Sequence, residues 1–379
     1  MNFTKKVFLM RLFYIALFLL YVGLAASPSF AVSLTENLAE STSATGDFDG
    51  DGVLNPSDVD DDNDGLIEIR TLSELNAMRY NTSGTGLKLT PTATMNREGS
   101  PGLLVGYELL CDLDMDTDGD GSTHQNGSGD PDDLFFNEGN GWEPMGIPYD
   151  GSDMLTFGKE FSANFEGNGH IIKNFFINRP DQNHVGFFAC TARKRIRNIA
   201  FLDVWVKGGD YTGSISGESQ LVGTLNNGGY SGNIWVSGRV SGKNKTGGIF
   251  GSLTNQSHNL VGILSQVDVT GNERTGGVMG EMGARVQEVI STGGVSGGNE
   301  RGGMAGWRDM DRSETWGANV SYYDQTQSGQ TDLLQGASPK TTRELQEQTS
   351  FQGIYILWDS NLWDLGDDTS YPTLSSFKR

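Results

Sequence analysis

The sequence predicts an all-β fold: a right-handed parallel β-helix, or β-solenoid, with short capping helices. Three observations carry that expectation. The 379-residue chain holds 53 glycines against 10 prolines, and the glycines alternate with Val, Ile, Phe and Trp, as in short strands joined by tight turns. Four segments, "VKGGDYTGSISG" (206–217), "VSGKNKTGGIFG" (240–251), "VTGNERTGGVMG" (269–280) and "VSGGNERGGMAG" (295–306), align on their glycines. Helix-capping signals stand at both ends of this region, where an open stack of coils needs its strand edges covered.

The repeat is marked twice. Gly213, Gly247, Gly276 and Gly302 occupy equivalent points. Upstream of each is an asparagine followed by an apolar residue, at Asn174, Asn198, Asn233 and Asn259, with Glu288 in that place in the next copy. In stacked coils, equivalent residues lie above one another. Glycine is needed where the backbone turns at positive φ or coils approach closely. Asparagine tolerates the left-handed conformation, and stacked amides can bond in a ladder. Val204 with Val206, and Val267 with Val269, alternate as inward-pointing strand residues should. A β-propeller is the structural alternative, but its blades run longer, near ~40 residues.

The ends follow. "LIEIRTLSELNAMRY" (66–80) reads as a strand and a short helix, with Thr71 and Glu74 as a capping box. "KTTRELQEQ" (340–348) repeats the device with Thr341 and Glu344. The aromatic tail "GIYILWDSNLWDLGDDTSYPTL" (353–374) reads as the last coil or a cap.

The first 31 residues have the layout of a secretory signal peptide. Lys5, Lys6 and Arg11 precede the apolar "LFYIALFLLYVGLAA", and Ser29 and Ala31 are the small residues of a cleavage site. An uncleaved anchor is the rival reading. No later segment is apolar enough to span a bilayer, so the mature chain is expected to be exported, secreted or at a bacterial cell surface. Cleavage removes three basic residues and moves the net charge from −21 to about −24. So acidic a chain is a poor partner for nucleic acid or anionic lipid. Cys111 and Cys190 are the only cysteines. An exported chain could bridge them, but two do not make a disulfide framework.

"GDFDGDGVLNPSDVDDDNDGLIEI" (46–69) puts eight aspartates between Asp47 and Asp64. Residues 47–58 fit a calcium loop, with Asp47, Asp49, Asp51, then Gly52 for the sharp turn, then Asp58 at the twelfth position. Asp60, Asp62, Asp64 and Gly65 begin a second set. Ca2+ is a hard cation that gathers carboxylates at alternate positions when the chain turns sharply. A solvated acidic linker is the other reading. In a third stretch, "DMDTDGDGSTHQNGSGDPDD" (114–133), Asp116, Asp118, Asp120 and Gly121 repeat the start of the motif, but the twelfth position is Gly127. That stretch reads either as a weaker calcium site or as a surface loop.

The expected organisation is signal peptide (1–31), linker (32–45), acidic calcium-binding repeats (46–65) and an N-terminal cap with the first coils (66–183, carrying the insert 114–133). The repeat coils (184–306) and a C-terminal coil and cap (307–379) complete it.

"TGGIFG" and "TGGVMG" resemble the glycine pattern of the GLUG-repeat family of exported bacterial proteins. "GYELLCDLDMD", "GWEPMG" and "FSANFEGNGHIIKNFFINRP" look like the segments that precede such repeats. The tandem acidic loops, with Asp58 rather than Glu at the twelfth position and no flanking helix, resemble thrombospondin type 3 repeats more than EF-hands. The GLUG resemblance implies a surface or secreted protein, some members being adhesin-like. GLUG repeats also accompany some immunoglobulin-cleaving metallopeptidases, but this chain has no His-Glu-any-any-His, so that activity does not carry over.

Other chemistry is weakly signalled. "GVSGG" (294–298) matches a nucleophile elbow, but "VSG" recurs at 236–238 and 240–242, so Ser296 belongs to the repeat turn. "GNGHII" (167–172) lacks the third glycine and the context of a dinucleotide loop. The four histidines, at 124, 170, 184 and 258, have no metal-pair spacing. A polysaccharide lyase or hydrolase would need carboxylates beside Arg or Lys, for example Asp203, Glu218, Lys243 and Arg239. A carbohydrate-binding module would use exposed Trp205 and Trp235 as stacking platforms. The expected function is a calcium-stabilised solenoid with an adhesin-like or structural role and no catalysis, with cell-surface glycans or extracellular matrix as partners.

Overall fold

The computed structural model describes residues 60, 64–84, 106–121, 123–125, 128–148, 159–192, 195–220, 230–253, 259–308, 320–331, 337–347 and 350–378. In chain order the main strands begin with β1 (Leu66–Ile69), β2 (Gly106–Leu109), β3 (Asn164–Lys173), β4 (Phe188–Ala192) and β5 (Ile196–Lys207). There follow β6 (Ser216–Gln220), β7 (Tyr230–Ser241), β8 (Phe250–Leu253), β9 (Asn259–Gly276) and β10 (Met279–Met282). The last are β11 (Arg285–Ser291), β12 (Val295–Gly302), β13 (Ala305–Arg308), β14 (Tyr322–Asp324) and β15 (Ser338–Lys340).

Two parallel sheets result. One runs β1-β2-β3-β5-β7-β9-β11-β14-β15, and the other β4-β6-β8-β10-β13. From β3 to β11 the chain visits the sheets alternately, each strand lying beside the one laid a turn earlier. This is consistent with an all-β, parallel, solenoid-like fold.

The glycine register is observed. Gly247 pairs with Gly276 and Gly276 with Gly302, and the bridge between Thr212 and Thr246 puts Gly213 in the same column. None of the four has a positive φ. The column exists for close approach: a Cβ on Gly276 would come 2.6 Å from Ala305 Cα, and one on Gly247 2.7 Å from Gly280 N. Val204, Val206, Val267 and Val269 point inward and are buried.

The asparagine column is corrected at two points. Asn198 (φ 53°) and Asn233 (φ 53°) are left-handed and in register, and Asn233 Nδ2 donates to Asn198 Oδ1 at 2.8 Å. The next member is Gly262, not Asn259, because Asn259 pairs with Tyr230 three residues earlier. Glu288 (φ 53°) follows, as expected. At the other end the member beside Asn198 is Asn168, not Asn174, which lies beside Asp203. A second left-handed column, His184, Tyr211, Lys245, Arg274 and Glu300, runs along another corner.

One apolar core runs between the sheets from Ile69 to Ala337. Its early turns are aromatic: Trp142 stacks on Phe187 at 5.0 Å and Phe161 on Phe188 at 4.1 Å. Later turns stack aliphatic residues, Ile199 beside Ile234, then Ile263 and Val289. Both capping boxes form, Thr71 with Glu74 at helix α1 (Leu72–Ala77) and Thr341 with Glu344 at a later helix, Thr342–Gln346. No disulfide joins Cys111 and Cys190, and the Cys111 thiol donates to Arg70 O at 3.0 Å.

The tail adds no strand to either sheet. Trp363–Asp364 and Thr373–Leu374 pair antiparallel as a separate hairpin. Tyr355, Trp358, Trp363 and Phe377 pack over Ala200, Leu264 and Ile290, which face outward from β5, β9 and β11. Trp358 Nε1 donates to Val320 O at 2.6 Å and Asp359 N donates to Glu288 Oε2 at 3.0 Å. The tail is therefore a lateral cover rather than a further turn.

Candidate metal centre

The insert leaves the sheet at Leu113–Asp114, which pairs with Ile172–Lys173 of β3. Asp114 is taken up there: Oδ1 accepts from Asn174 Nδ2 at 2.8 Å and Oδ2 meets Lys173 Nζ at 2.7 Å. The next acidic residue folds back on its own loop. Asp116 Oδ1 accepts from Gly119 N at 2.9 Å and Oδ2 from Gly121 N at 2.8 Å. Gly119 (φ 74°) and Gly121 (φ 91°) supply the left-handed turns that a Cβ would disfavour. Asp118 Oδ1 accepts from Asp120 N at 3.0 Å.

The chain then returns. His124–Gln125 pairs antiparallel with Ser128–Gly129, and Asp130 N donates to Thr123 O at 3.0 Å. Asp132 N donates to Asp130 Oδ1 at 3.1 Å. Asp133 Oδ1 accepts from Thr117 N at 2.6 Å and from Thr117 Oγ1 at 3.1 Å, which closes the insert on itself.

This return builds two groups of carboxylates. Asp116, Asp118 and Asp120 place ligand oxygens within 4.8 Å of one another, and so do Asp118, Asp130 and Asp132. Asp116 and Asp130 are buried, whereas Asp118, Asp120 and Asp132 are exposed. Burial pushes the Asp116 carboxyl up, against the opposing pull of the Gly121 amide. Burial also pushes Asp133 up to about 6; the Thr117 hydrogen bonds oppose this, and the charges of Asp118 and Asp116 add to it. The arrangement concentrates hard oxygen donors whose mutual repulsion a cation would relieve.

Asp60 makes the same kind of contact further up the chain. Asp60 is buried, with Oδ1 accepting from Asp64 N and Oδ2 from Gly65 N, both at 3.0 Å. The bond from the glycine five residues on, at φ 89° in Gly65, matches that of Gly121 to Asp116. Both loops read Asp-any-Asp-any-Asp-Gly. The expected ligands Asp47, Asp49, Asp51, Asp58 and Asp62 lie outside the described residues.

Asp130, Asp132 and Asp133 were missed because a twelve-residue frame looks for the closing ligand at Gly127. The signal was the acidic cluster "DPDD" at the end of the insert. The catalytic candidates do not converge. Glu218, on β6, meets His184 Nε2 at 3.0 Å; Lys243 pairs with Asp181 at 3.5 Å; and Asp203 and Arg239 lie on strands of the other sheet. The tryptophan platforms are corrected too. Trp205 is half-buried and stacks on Phe176 at 5.0 Å; Trp235 is half-buried under Phe377 and donates to Gln266 Oε1 at 2.8 Å.

No family model matches the chain. Over 199 residues it is 28% identical to halomucin of Haloquadratum walsbyi, a match covering 50% of this chain and 2% of that protein. Over 93 residues it is 33% identical to a protein described as a Gly-rich membrane protein from Evansella cellulosilytica, covering 24% of this chain and 9% of that one. The matched regions are thus a small fraction of either relative's length. A structure described as an immunoglobulin A1 protease from Bacteroides ovatus aligns with 82% of this chain and 92% of its own, at 14% identity and a TM-score of 0.38. No helix among the described residues is long and apolar enough to cross a membrane.

Proposed function

We propose that this chain is a calcium-binding right-handed parallel β-helix, secreted or displayed at a bacterial cell surface, with an adhesin-like or structural role. The observation that carries the reading is the hydrogen bonding shared by Asp60 and Asp116. In each, a buried leading aspartate is pinned by the glycine five residues on, and in the later loop Asp116, Asp118 and Asp120 bring their ligand oxygens within 4.8 Å of one another. The glycine column supports kinship with GLUG-repeat proteins. Partial likeness to halomucin and to a Gly-rich membrane protein supports a surface location. Calcium here is a structural element, and the partners are cell-surface glycans or extracellular matrix.

The test is binding of the purified chain to glycans and cell surfaces, with calcium and with chelator. Saturable, calcium-dependent binding without turnover is expected. A soluble sugar product would overturn the reading in favour of a polysaccharide-active enzyme.

A further inference from the structure

We infer that Arg79 and Arg179 form an anion-binding site for acidic glycans, which they hold by carboxylate or sulfate groups. The inference rests on the glycan-partner reading above and adds the chemical class of the glycan and the residues that recognise it.

The two side chains come from distant parts of the chain. Arg79 lies on the turn Met78–Tyr80 that follows α1, and Arg179 follows the short strand Phe176–Asn178. They meet on one dipeptide. Arg179 Nε donates to Trp142 O at 3.1 Å, and Arg79 Nη2 donates to the next carbonyl, Glu143 O, at 3.2 Å. The Arg79 guanidinium also lies over the Trp142 ring, 5.2 Å from its centroid. That ring is buried, with its Nε1 bonded to Phe187 O at 3.1 Å. Two like charges are thus held near each other on a packed support.

Arg179 is the anomaly. It is half-buried, and its acceptors are the neutral Trp142 O and Gln182 Oε1. Among the described residues it has no carboxylate partner, and its Nη2 makes no hydrogen bond. Burial holds its pKa below the usual arginine range; the Glu143 carboxylate opposes this, and the Arg79 charge adds to it. Glu143 is itself paired with Arg79 at 3.3 Å and its side chain is 65% exposed, so water screens much of its charge. Arg197 with Glu166 and Lys245 with Glu281 show the paired alternative. A guanidinium removed from water without a charged partner is uncommon, and it stays protonated all the same.

The donors select an oxyanion. The planar fork of a guanidinium matches the paired oxygens of such a group, and it is over-represented where they are recognised. A glycan is favoured over a free anion by Tyr80, the residue after Arg79, whose ring is 85% exposed and offers a face for a sugar to stack on. The net charge of −21 repels anions at a distance. Salt screens that field beyond about 10 Å, so the two arginines decide at contact.

The experiment is isothermal titration calorimetry in calcium, with circular dichroism as a folding control. The ligands are a chondroitin sulfate tetrasaccharide, neutral cellotetraose and sodium sulfate. The parent should bind the acidic tetrasaccharide saturably and cellotetraose not at all. Arg179→Gln and Arg79→Gln should each weaken that binding about tenfold or more. Glu143→Gln frees Arg79 and should strengthen it about two- to fivefold. Because Glu143 is exposed, this variant keeps the test open if an arginine variant misfolds, and unchanged affinity there counts against the site. Equal binding of both tetrasaccharides, or undiminished binding by a folded Arg179→Gln, overturns it. If chelator then abolishes the binding, the acidic loops are responsible and the surface reading stands. Binding of sodium sulfate without the acidic tetrasaccharide would show a site for free anions and overturn the glycan. If the parent binds none of the three, this site falls, while the proposed function is decided by cell-surface binding.

Discussion

Asn233 donates its Nδ2 to Ser376 Oγ at 2.7 Å, although 143 residues separate the two in sequence. The bond joins a left-handed corner of the stack to the end of the tail. Other members of that corner meet the tail as well: Val320 through Trp358, Glu288 through Asp359, and Gly262 where any side chain would strike Leu362. The tail thus runs back along the corner, from the last turns toward the first.

Removing residues 350–379 should uncover the outward apolar row of Ala200, Leu264 and Ile290 together with Trp235. Contiguous exposed apolar surface of this kind drives association. Light scattering should show the truncated chain self-associating at concentrations where the parent is monodisperse. A monodisperse truncation of unchanged melting temperature would show that the tail does not protect this face.

Asp324 ties β14 to the tail and should be a point of high sensitivity. It is fully buried; Oδ1 caps the helix α2 (Gln325–Ser328) through Thr326 N and Gln327 N, and Oδ2 accepts from Thr342 Oγ1 and Tyr371 OH. Asp324→Ala removes the cap and takes the acceptor from the half-buried Thr342 and Tyr371 hydroxyls, a cost of about 2–4 kcal/mol. Tyr371→Phe removes one bond to a buried carboxylate and should cost about 1.5–3 kcal/mol. Urea unfolding measures both, and the order Ala above Phe is the expected outcome.

Gly276→Val should destabilise the stack by about 1–3 kcal/mol or more, because the added atoms meet backbone that cannot rotate away. The nearest obstacles are Met279 O, three residues on, and Ala305 Cα on the neighbouring turn. Gly119→Ala is the control, since nothing lies within 4 Å of its Cβ position and only the strain of φ 74° is felt. Equal melting temperatures for Gly276→Val and the parent, in calcium, would refute the close-approach role of this column.

Glu288 gives a pH dependence. Burial holds its carboxyl above the usual glutamate range, opposed by hydrogen bonding from the Asp359 amide and reinforced by the Asp359 charge. A folded pKa raised above the unfolded one favours the fold at low pH and loses that contribution as pH rises through the folded value. Glu288→Gln keeps an acceptor for Asp359 N without the charge. The variant should therefore gain stability on the parent as pH rises from the ordinary glutamate range upward, and match it below. Parallel stability curves across that window would contradict this.

What the sequence disclosed depended on how exclusive each position is. The glycine column was legible because close backbone approach admits no other residue at Gly247 or Gly276. The left-handed column was half legible, because that conformation is merely easiest for Asn and is held here also by Glu288 and Val320. Asp116, Asp118 and Asp120 could be read from local spacing. Asp130, Asp132 and Asp133 arrive only when the insert folds back, and no local pattern encodes that return. The tail's aromatic content announced burial, but not which surface it would bury.

The tail's position also orders assembly in time. Each turn of the stack needs only the turn before it, so a chain made amino end first can lengthen its fold as it emerges, by contacts of short range. The seam along Asn233, Gly262 and Glu288 stays open until residues 350–378 have emerged, since they supply its cover. Closure of that seam is therefore a late event that joins residues as much as 143 positions apart, and a chain lacking residues 350–378 would carry its defect on the outside.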